Sequence, residues 1–200
     1  MPISEALRIT LDVARVLEGL KVSYLVCGSM ASSVHGIPRA TQDVDLVANL
    51  REEHIPAFVE ALGSAYYFDI ERIRDAVRRK RSFNAIHIAT AFKVDIFILK
   101  DDPLSQSEMK RRERISVGET RGEELWISSP EDTIVQKLYW YRLGGGVSDR
   151  QWQDALGIVK VCSGKRHLST DYMVWGASVL GVVDLLQQAF QDAGLNAPEE

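Results

Sequence analysis

Arg39-Ala-Thr41-Gln-Asp43-Val-Asp45-Leu46-Val47 is the stretch on which the reading turns, and Tyr24-Leu-Val-Cys27-Gly28-Ser29 stands shortly before it. From Asp43 onward polar and apolar residues alternate in strict period two, which predicts a half-buried strand with Asp43 and Asp45 on one face. Tyr24 to Cys27 reads as a short buried strand ending at Gly28, and Ser29 to His35 as a short helix stopped by Gly36 and Pro38. Two carboxylates on one strand face repel each other. A hard divalent cation bridging them accounts for the pair, because Mg2+ prefers carboxylate oxygens together with substrate phosphates. Gly28-Ser29, where a strand hands over to a helix, suits a phosphate through close backbone approach and the helix N-terminus. Taken alone, it is equally a helix N-cap with a permissive glycine.

Working outward, a third acid, Asp95, lies inside the apolar run Val94-Asp-Ile-Phe-Ile98. An acid so flanked needs a partner, and a neighbouring strand carrying Asp43 and Asp45 would supply one through a shared cation. The three acids together suit two-metal phosphoryl transfer. Periodicity predicts helices over 5–20, 52–62 and 70–81 and strands over 83–89 and 92–99. The segment 101–125 is polar and charged, with Ile115 and Val117 starting a further strand. Pro130-Glu-Asp-Thr opens a helix that Gly144-Gly-Gly146 ends, and helices over 149–162 and 169–191 follow. The expected class is α/β (α+β), a mixed sheet flanked by helices over 1–125 and a helical region over 126–195 packed on it.

Two hundred residues suffice for one substantial domain, or one with a helical annex. With 46% hydrophobic and 26% charged residues the chain is neither collagen-like nor disordered. A net charge of −4 argues against general coating of nucleic acid. Cys27 and Cys162 form no disulfide framework, and Cys27 reads as a small buried hydrophobe. The N-terminal residues carry no signal-peptide pattern, and no apolar run approaches the ~20 residues of a spanning helix. The expectation is a soluble cytoplasmic protein without a membrane partner. His35, His54, His87 and His167 lack metal-ligand spacing and read as packing or surface residues; Trp140, Trp152 and Trp175 read as core. The runs Arg78-Arg-Lys-Arg81 and Lys110-Arg-Arg-Glu-Arg114 read as solvated faces, with a grip on an RNA or nucleotide acceptor as the alternative.

As a set, Gly28-Ser29-Met-Ala31, Arg39-x-Thr41-x-Asp43-x-Asp45-Leu46, Val94-Asp95-Ile-Phe, Ser129-Pro-Glu-Asp132 with Lys137-Leu138, and Asp149-Arg150 with Asp154 resembles the nucleotidyltransferase superfamily related to DNA polymerase beta. The resemblance covers roughly residues 20 to 160 and is nearest to the AbiEii/AbiGii-toxin-like branch and its stand-alone bacterial relatives. It implies a minimal nucleotidyltransferase fold and Mg2+-dependent (or Mn2+-dependent) transfer of a nucleoside monophosphate from a nucleoside triphosphate to an acceptor hydroxyl, releasing pyrophosphate. It further implies that Asp43 and Asp45 hold metal, that Asp95 holds metal and helps activate the nucleophile, and that Gly28 and Ser29 contact the triphosphate. Lys137 and Asp154 would complete the nucleotide site, although Asp149-Arg-Gln-Trp-Gln-Asp154 departs from that branch's spacing. Arg39 would either contact the triphosphate or order the Asp strand. The acceptor would be tRNA, a protein or a small molecule, and an antitoxin is an implied partner. Two other readings stand beside it: a glycosyltransferase using Asp43-Val-Asp45 on a sugar nucleotide, and a degenerate nucleotide-binding or toxin–antitoxin partner protein without catalysis.

Overall fold

A computed structural model of the chain describes residues 5–117, 123–166 and 168–199. In chain order the elements are α1 (Glu5–Gly19), β1 (Tyr24–Cys27), α2 (Gly28–His35), β2 (Asp43–Ala48), α3 (Ile55–Leu62), β3 (Tyr66–Tyr67), α4 (Ile70–Arg79), β4 (Ser82–His87), β5 (Phe92–Ile98), α5 (Pro103–Arg111), β6 (Glu113–Ser116), β7 (Glu124–Ile127), α6 (Pro130–Leu143), α7 (Asp149–Ser163), α8 (Thr170–Leu180) and α9 (Val183–Asp192). They form two compact units, one of residues 1–27 and 40–127, the other of residues 28–39 and 128–200.

The first unit holds a seven-stranded mixed sheet in the order β3-β4-β5-β2-β1-β7-β6. β2 runs parallel to β5, and β1 is antiparallel to β2 but parallel to β7. Val44, Leu46 and Ala48 of β2 and Val94, Ile96 and Ile98 of β5 are buried on one face. Ile9, Leu11, Val13, Ala14 and Leu17 give α1 its buried stripe, and Phe58 of α3 meets Phe83 of β4 edge-on with ring centroids 6.1 Å apart. On the other face, Met109 of α5 packs with Leu25 and Leu99, with Val47 and Cys27 alongside.

The second unit is helical. Its core joins Ile134, Val135 and Leu138 of α6, Ala155, Ile158 and Val159 of α7, Met173 and Ala177 of α8, and Leu186, Ala189 and Phe190 of α9. The sequence boundary of 1–125 and 126–195 therefore differs from the structure, which assigns α2 to the helical unit. The chain leaves β1 at Gly28, whose φ of +60° is open to glycine at little cost. α2 then packs on its unit's other helices: His35 Nε2 lies 2.7 Å from Ser128 O, and the Cys162 thiol donates to His35 O. Gly36 approaches α7 so closely that a Cβ there would lie 3.0 Å from Ile158 N, Ile158 Cγ1 and Ser32 O.

Four local features depart from the sequence expectation. The helix predicted over 52–62 starts as a 3₁₀ turn at Glu52–His54 and becomes α-helical at Ile55, with Pro56 in its first turn. The segment 101–125 contains α5, started by Pro103 and capped by Asp102, whose carboxylate accepts from Ser105 N at 2.9 Å. β6 and β7 complete the sheet edge. The helix predicted over 169–191 is two, because Gly181 takes φ +68° and ends α8.

The two glycines Gly36 and Gly19 make a paired test. Gly36→Ala should lower stability in urea denaturation by about 1–3 kcal/mol through overpacking against α7. Gly19→Ala, at an exposed helical position with nothing within 4 Å of a new Cβ, should raise it by about 0.5–1 kcal/mol.

Candidate active site

On the sheet unit, strand pairing decides which side chains share a face. Asp45 is the register partner of Asp95 on β5 and of Cys27 on β1, and Asp95 is that of Asn84 on β4. A row Cys27–Asp45–Asp95–Asn84 therefore crosses four strands on the face opposite the Leu46–Ile96 core. The next row places Asp43 opposite Lys93. The Lys93 ammonium lies 2.7 Å from Asp95 Oδ2, with the lysine side chain 43% and the aspartate 21% exposed. The bond to Asp95 raises the lysine's pKa, against the partial burial that lowers it, and the charges of Asp43 and Asp45 add to the rise. Thr41 Oγ1 lies 3.0 Å from Asp43 Oδ1 and 2.9 Å from Asp43 O, which fixes the first acid at the strand's start. A cleft of about 500 Å³ borders Asp95, lined among others by Glu71, Arg72, Asp75, Arg81 and Asn84.

The three acids are hard oxygen donors on one face, the donor class that Mg2+ takes. Among the described residues, no three His, Cys, Asp or Glu side chains converge as a group that could hold a metal ion. The Asp95 carboxylate is held by Lys93 instead. Asp43 and Asp45 are two donors of that class, and Asp95 is a third on the same face, bonded to Lys93.

The helical unit carries its own polar cluster. Asp154 of α7, with its side chain 7% exposed, accepts from Arg39 Nε at 2.9 Å and Arg39 Nη2 at 2.8 Å, a two-point guanidinium fork. Lys137 of α6, with its side chain 6% exposed, places its ammonium 2.8 Å from Asp154 Oδ2. Ser32 donates to the same oxygen at 3.2 Å, and Arg39 Nη2 donates to Ser29 Oγ at 2.7 Å. Burial alone would raise the Asp154 carboxyl's pKa, but the hydrogen bonds and charges of Arg39 and Lys137 outweigh it and hold the carboxyl below its ordinary range. A guanidinium and an ammonium fixed on one carboxylate, beside a serine at a helix start, are groups that bind phosphate oxygens.

Each sequence-predicted site residue thus falls into one of two sets. Asp43, Asp45 and Asp95 share the sheet face; Ser29, Arg39, Lys137 and Asp154 share one hydrogen-bonded cluster, which Gly28 enters as the first residue of α2. Sequence reasoning missed Lys93 and Ser32, although period two from Asp95 and helical spacing from Ser29 place them beside residues already singled out. Cys27 is half-buried on the acid face, packed beside Leu25, Leu99 and Met109. Trp140 and Trp175 are exposed, and Trp152 packs at the edge of the helical core. The basic run at α4 is largely neutralised: Arg78 faces Glu52 at 3.9 Å, Arg79 faces Asp75 at 2.7 Å and Lys80 faces Asp101 at 3.4 Å. In the second run, Arg112 stacks 4.5 Å from the Trp126 ring and Arg114 pairs with Glu124 at 2.7 Å. His35, His54 and His87 bond to backbone or hydroxyl groups, and His167 lies outside the described residues.

No protein-family model matches the sequence, and no curated protein is similar to it in sequence. Solved structures are similar in fold. The antibiotic-resistance factor ANT(2'')-Ia, in complex with adenylyl-2''-tobramycin, aligns at a TM-score of 0.58 and 13% identity over 89% of this chain and 98% of its own. An antigenic nucleotidyltransferase-like protein from Paracoccidioides brasiliensis aligns at a TM-score of 0.54 and 15% identity over 98% and 97%. The chain has the nucleotidyltransferase fold. The lincosamide antibiotic adenylyltransferase LnuA, lincomycin-bound, shares this nucleotidyltransferase fold at a TM-score of 0.51 and 11% identity over 80% of this chain and 99% of its own.

Asp154→Asn leaves the buried Lys137 ammonium and the half-buried Arg39 guanidinium without their counter-charge and should cost about 3 kcal/mol at pH 7. Because the native carboxyl is depressed, its contribution is complete above the unfolded aspartate value near ~3.9 and is lost as pH falls through the lower native value. Urea denaturation of both proteins across pH 7 to pH 2.5 should therefore show the wild-type advantage shrinking only in the acid limb.

Proposed function

We propose that this chain transfers a nucleoside monophosphate from a nucleoside triphosphate to the hydroxyl of a small molecule, releasing pyrophosphate, with Mg2+ or Mn2+ as the required ion. The observation that carries this is the register of Asp45 against Asp95, with Asp43 beside them, on the open face of a sheet of nucleotidyltransferase fold. That fold also favours this reading over a sugar-nucleotide use of Asp43-Val-Asp45.

Asp43 and Asp45 would hold the divalent ion, with Asp95 as the third ligand. The ion, when bound, supplies charge stabilisation to the triphosphate oxygens. Asp95 would take the proton of the acceptor hydroxyl as its oxygen bonds to the α-phosphorus, and the bond from that phosphorus to the β-phosphate oxygen breaks. On the helical unit, Arg39 and Lys137, held in place by Asp154, would be phosphate-binding groups, with Ser29 and the Gly28 backbone beside them. The acceptor would enter by the cleft beside Asp95, whose lining of both charges and Asn84 suits a hydroxylated molecule. A polyanionic acceptor such as tRNA fits less well, because the chain is acidic overall and Arg78, Arg79 and Lys80 of the first basic run face acids. ANT(2'')-Ia with adenylyl-2''-tobramycin and lincomycin-bound LnuA show this fold beside small hydroxylated molecules.

The test is incubation with each α-labelled nucleoside triphosphate, Mg2+ and a panel of hydroxylated acceptors, with pyrophosphate and labelled product followed together. Wild-type protein should release both in equal amounts, and Asp43→Asn/Asp45→Asn should lose about a thousandfold in rate. Undiminished transfer by the double variant, or no pyrophosphate from any triphosphate, would contradict the proposal.

A further inference from the structure

Lys93 precedes Asp95 by two residues in β5, so the alternation that exposes Asp95 exposes Lys93 on the same face. Across the parallel ladder its register partner is Asp43, and its ammonium reaches forward to Asp95 Oδ2 at 2.7 Å. One side chain therefore spans the acid face, rooted opposite the first acid and bonded to the third, while Asp45 sits opposite Asp95. An ammonium has only donors to offer, and a divalent ion needs the same carboxylate lone pairs. The two are alternatives at Asp95. The lysine side chain is long, flexible and 43% exposed, so it can leave the carboxylate without backbone movement and at small cost.

Resting on the reading of Asp43, Asp45 and Asp95 as metal-holding residues, we propose that Lys93 is a built-in counter-ion of the acid face, holding Asp95 in the metal-free chain and giving it up when a divalent ion binds. Lys93 thereby does two things. It limits the repulsion among three carboxylates gathered on two adjacent strands, and it sets the affinity for the ion through this exchange, so that metal enters only by displacing a positive charge already there. Like-charge repulsion between neighbouring strands is destabilising when nothing opposes it, which explains why the three acids can share one face without metal.

The test titrates Mn2+ alone, without nucleotide, into the full chain by calorimetry, and measures melting temperature in EDTA and in saturating Mn2+. The proteins are wild type, Lys93→Met, Lys93→Gln, Lys93→Arg and Asp43→Asn/Asp45→Asn. Lys93→Met and Lys93→Gln should bind Mn2+ about three- to fivefold more tightly, melt lower than wild type in EDTA, and gain more from Mn2+ than wild type does. Lys93→Arg should stay near wild type in all three measurements. Unchanged or weaker Mn2+ affinity in both uncharged variants, with binding in wild type that the double aspartate variant loses, would overturn the role of Lys93 and leave the metal reading standing. Absence of saturable Mn2+ binding in wild type and in the uncharged variants would overturn the metal reading, and the counter-ion role with it.

Discussion

The parallel pairing of β2 with β5 is the constraint from which the acid face follows. It aligns Asp43 with Lys93 and Asp45 with Asp95, and in the same register buries Val44 against Val94, Leu46 against Ile96 and Ala48 against Ile98. A slip of one residue would put both β2 acids into the core and Leu46 into solvent. The carboxylates are held at one place because their apolar neighbours cannot be moved, so packing energy on one face fixes polar chemistry on the other. Val47 continues the acid row into the patch formed by Leu25, Leu99 and Met109, which closes one end of that face and leaves the carboxylates at the other.

The helical unit solves the opposite problem. Burying an ammonium, and half-burying a guanidinium beside it, is costly unless each finds a charge and its hydrogen bonds. Asp154 meets that need for both Lys137 and Arg39, and Ser29 and Ser32 occupy remaining bonding positions. The cations are consequently positioned by the chain's own contacts. α2 belongs to this unit for the same reason: it contributes Ser29 and Ser32 to the cluster, and the tight seat of Gly36 on α7 leaves no latitude in its placement.

Most of this architecture was legible in the residues. Strict alternation located β2, and the apolar frame of Asp95 located β5. The Ser129-Pro130 start located α6, with Lys137 on it. What escaped had physical causes. α5 is polar and has only Leu104 and Met109 buried, too few apolar positions to mark a helical stripe. β6 contains the expected Ile115, but its partner β7, four residues on the far side of a charged stretch, has no alternation long enough to mark it. Gly181 interrupts a pattern that is apolar on both sides of it. Trp140 and Trp175 are exposed because helical spacing identifies a stripe but not how far a large ring extends beyond it. The assignment of α2 was invisible, since nothing local tells a helix after a buried strand which helices it will join.

The proposed transfer requires Asp43 and Asp45 to hold a divalent ion. The most direct measurement is the anomalous difference map of crystals grown with Mn2+ and a non-hydrolysable nucleoside triphosphate. The account predicts a manganese peak coordinated by carboxylate oxygens of both Asp43 and Asp45, with a triphosphate oxygen in the same coordination shell. Manganese bound to other acids, with Asp43 still bonded to Thr41 and free of metal, would contradict it.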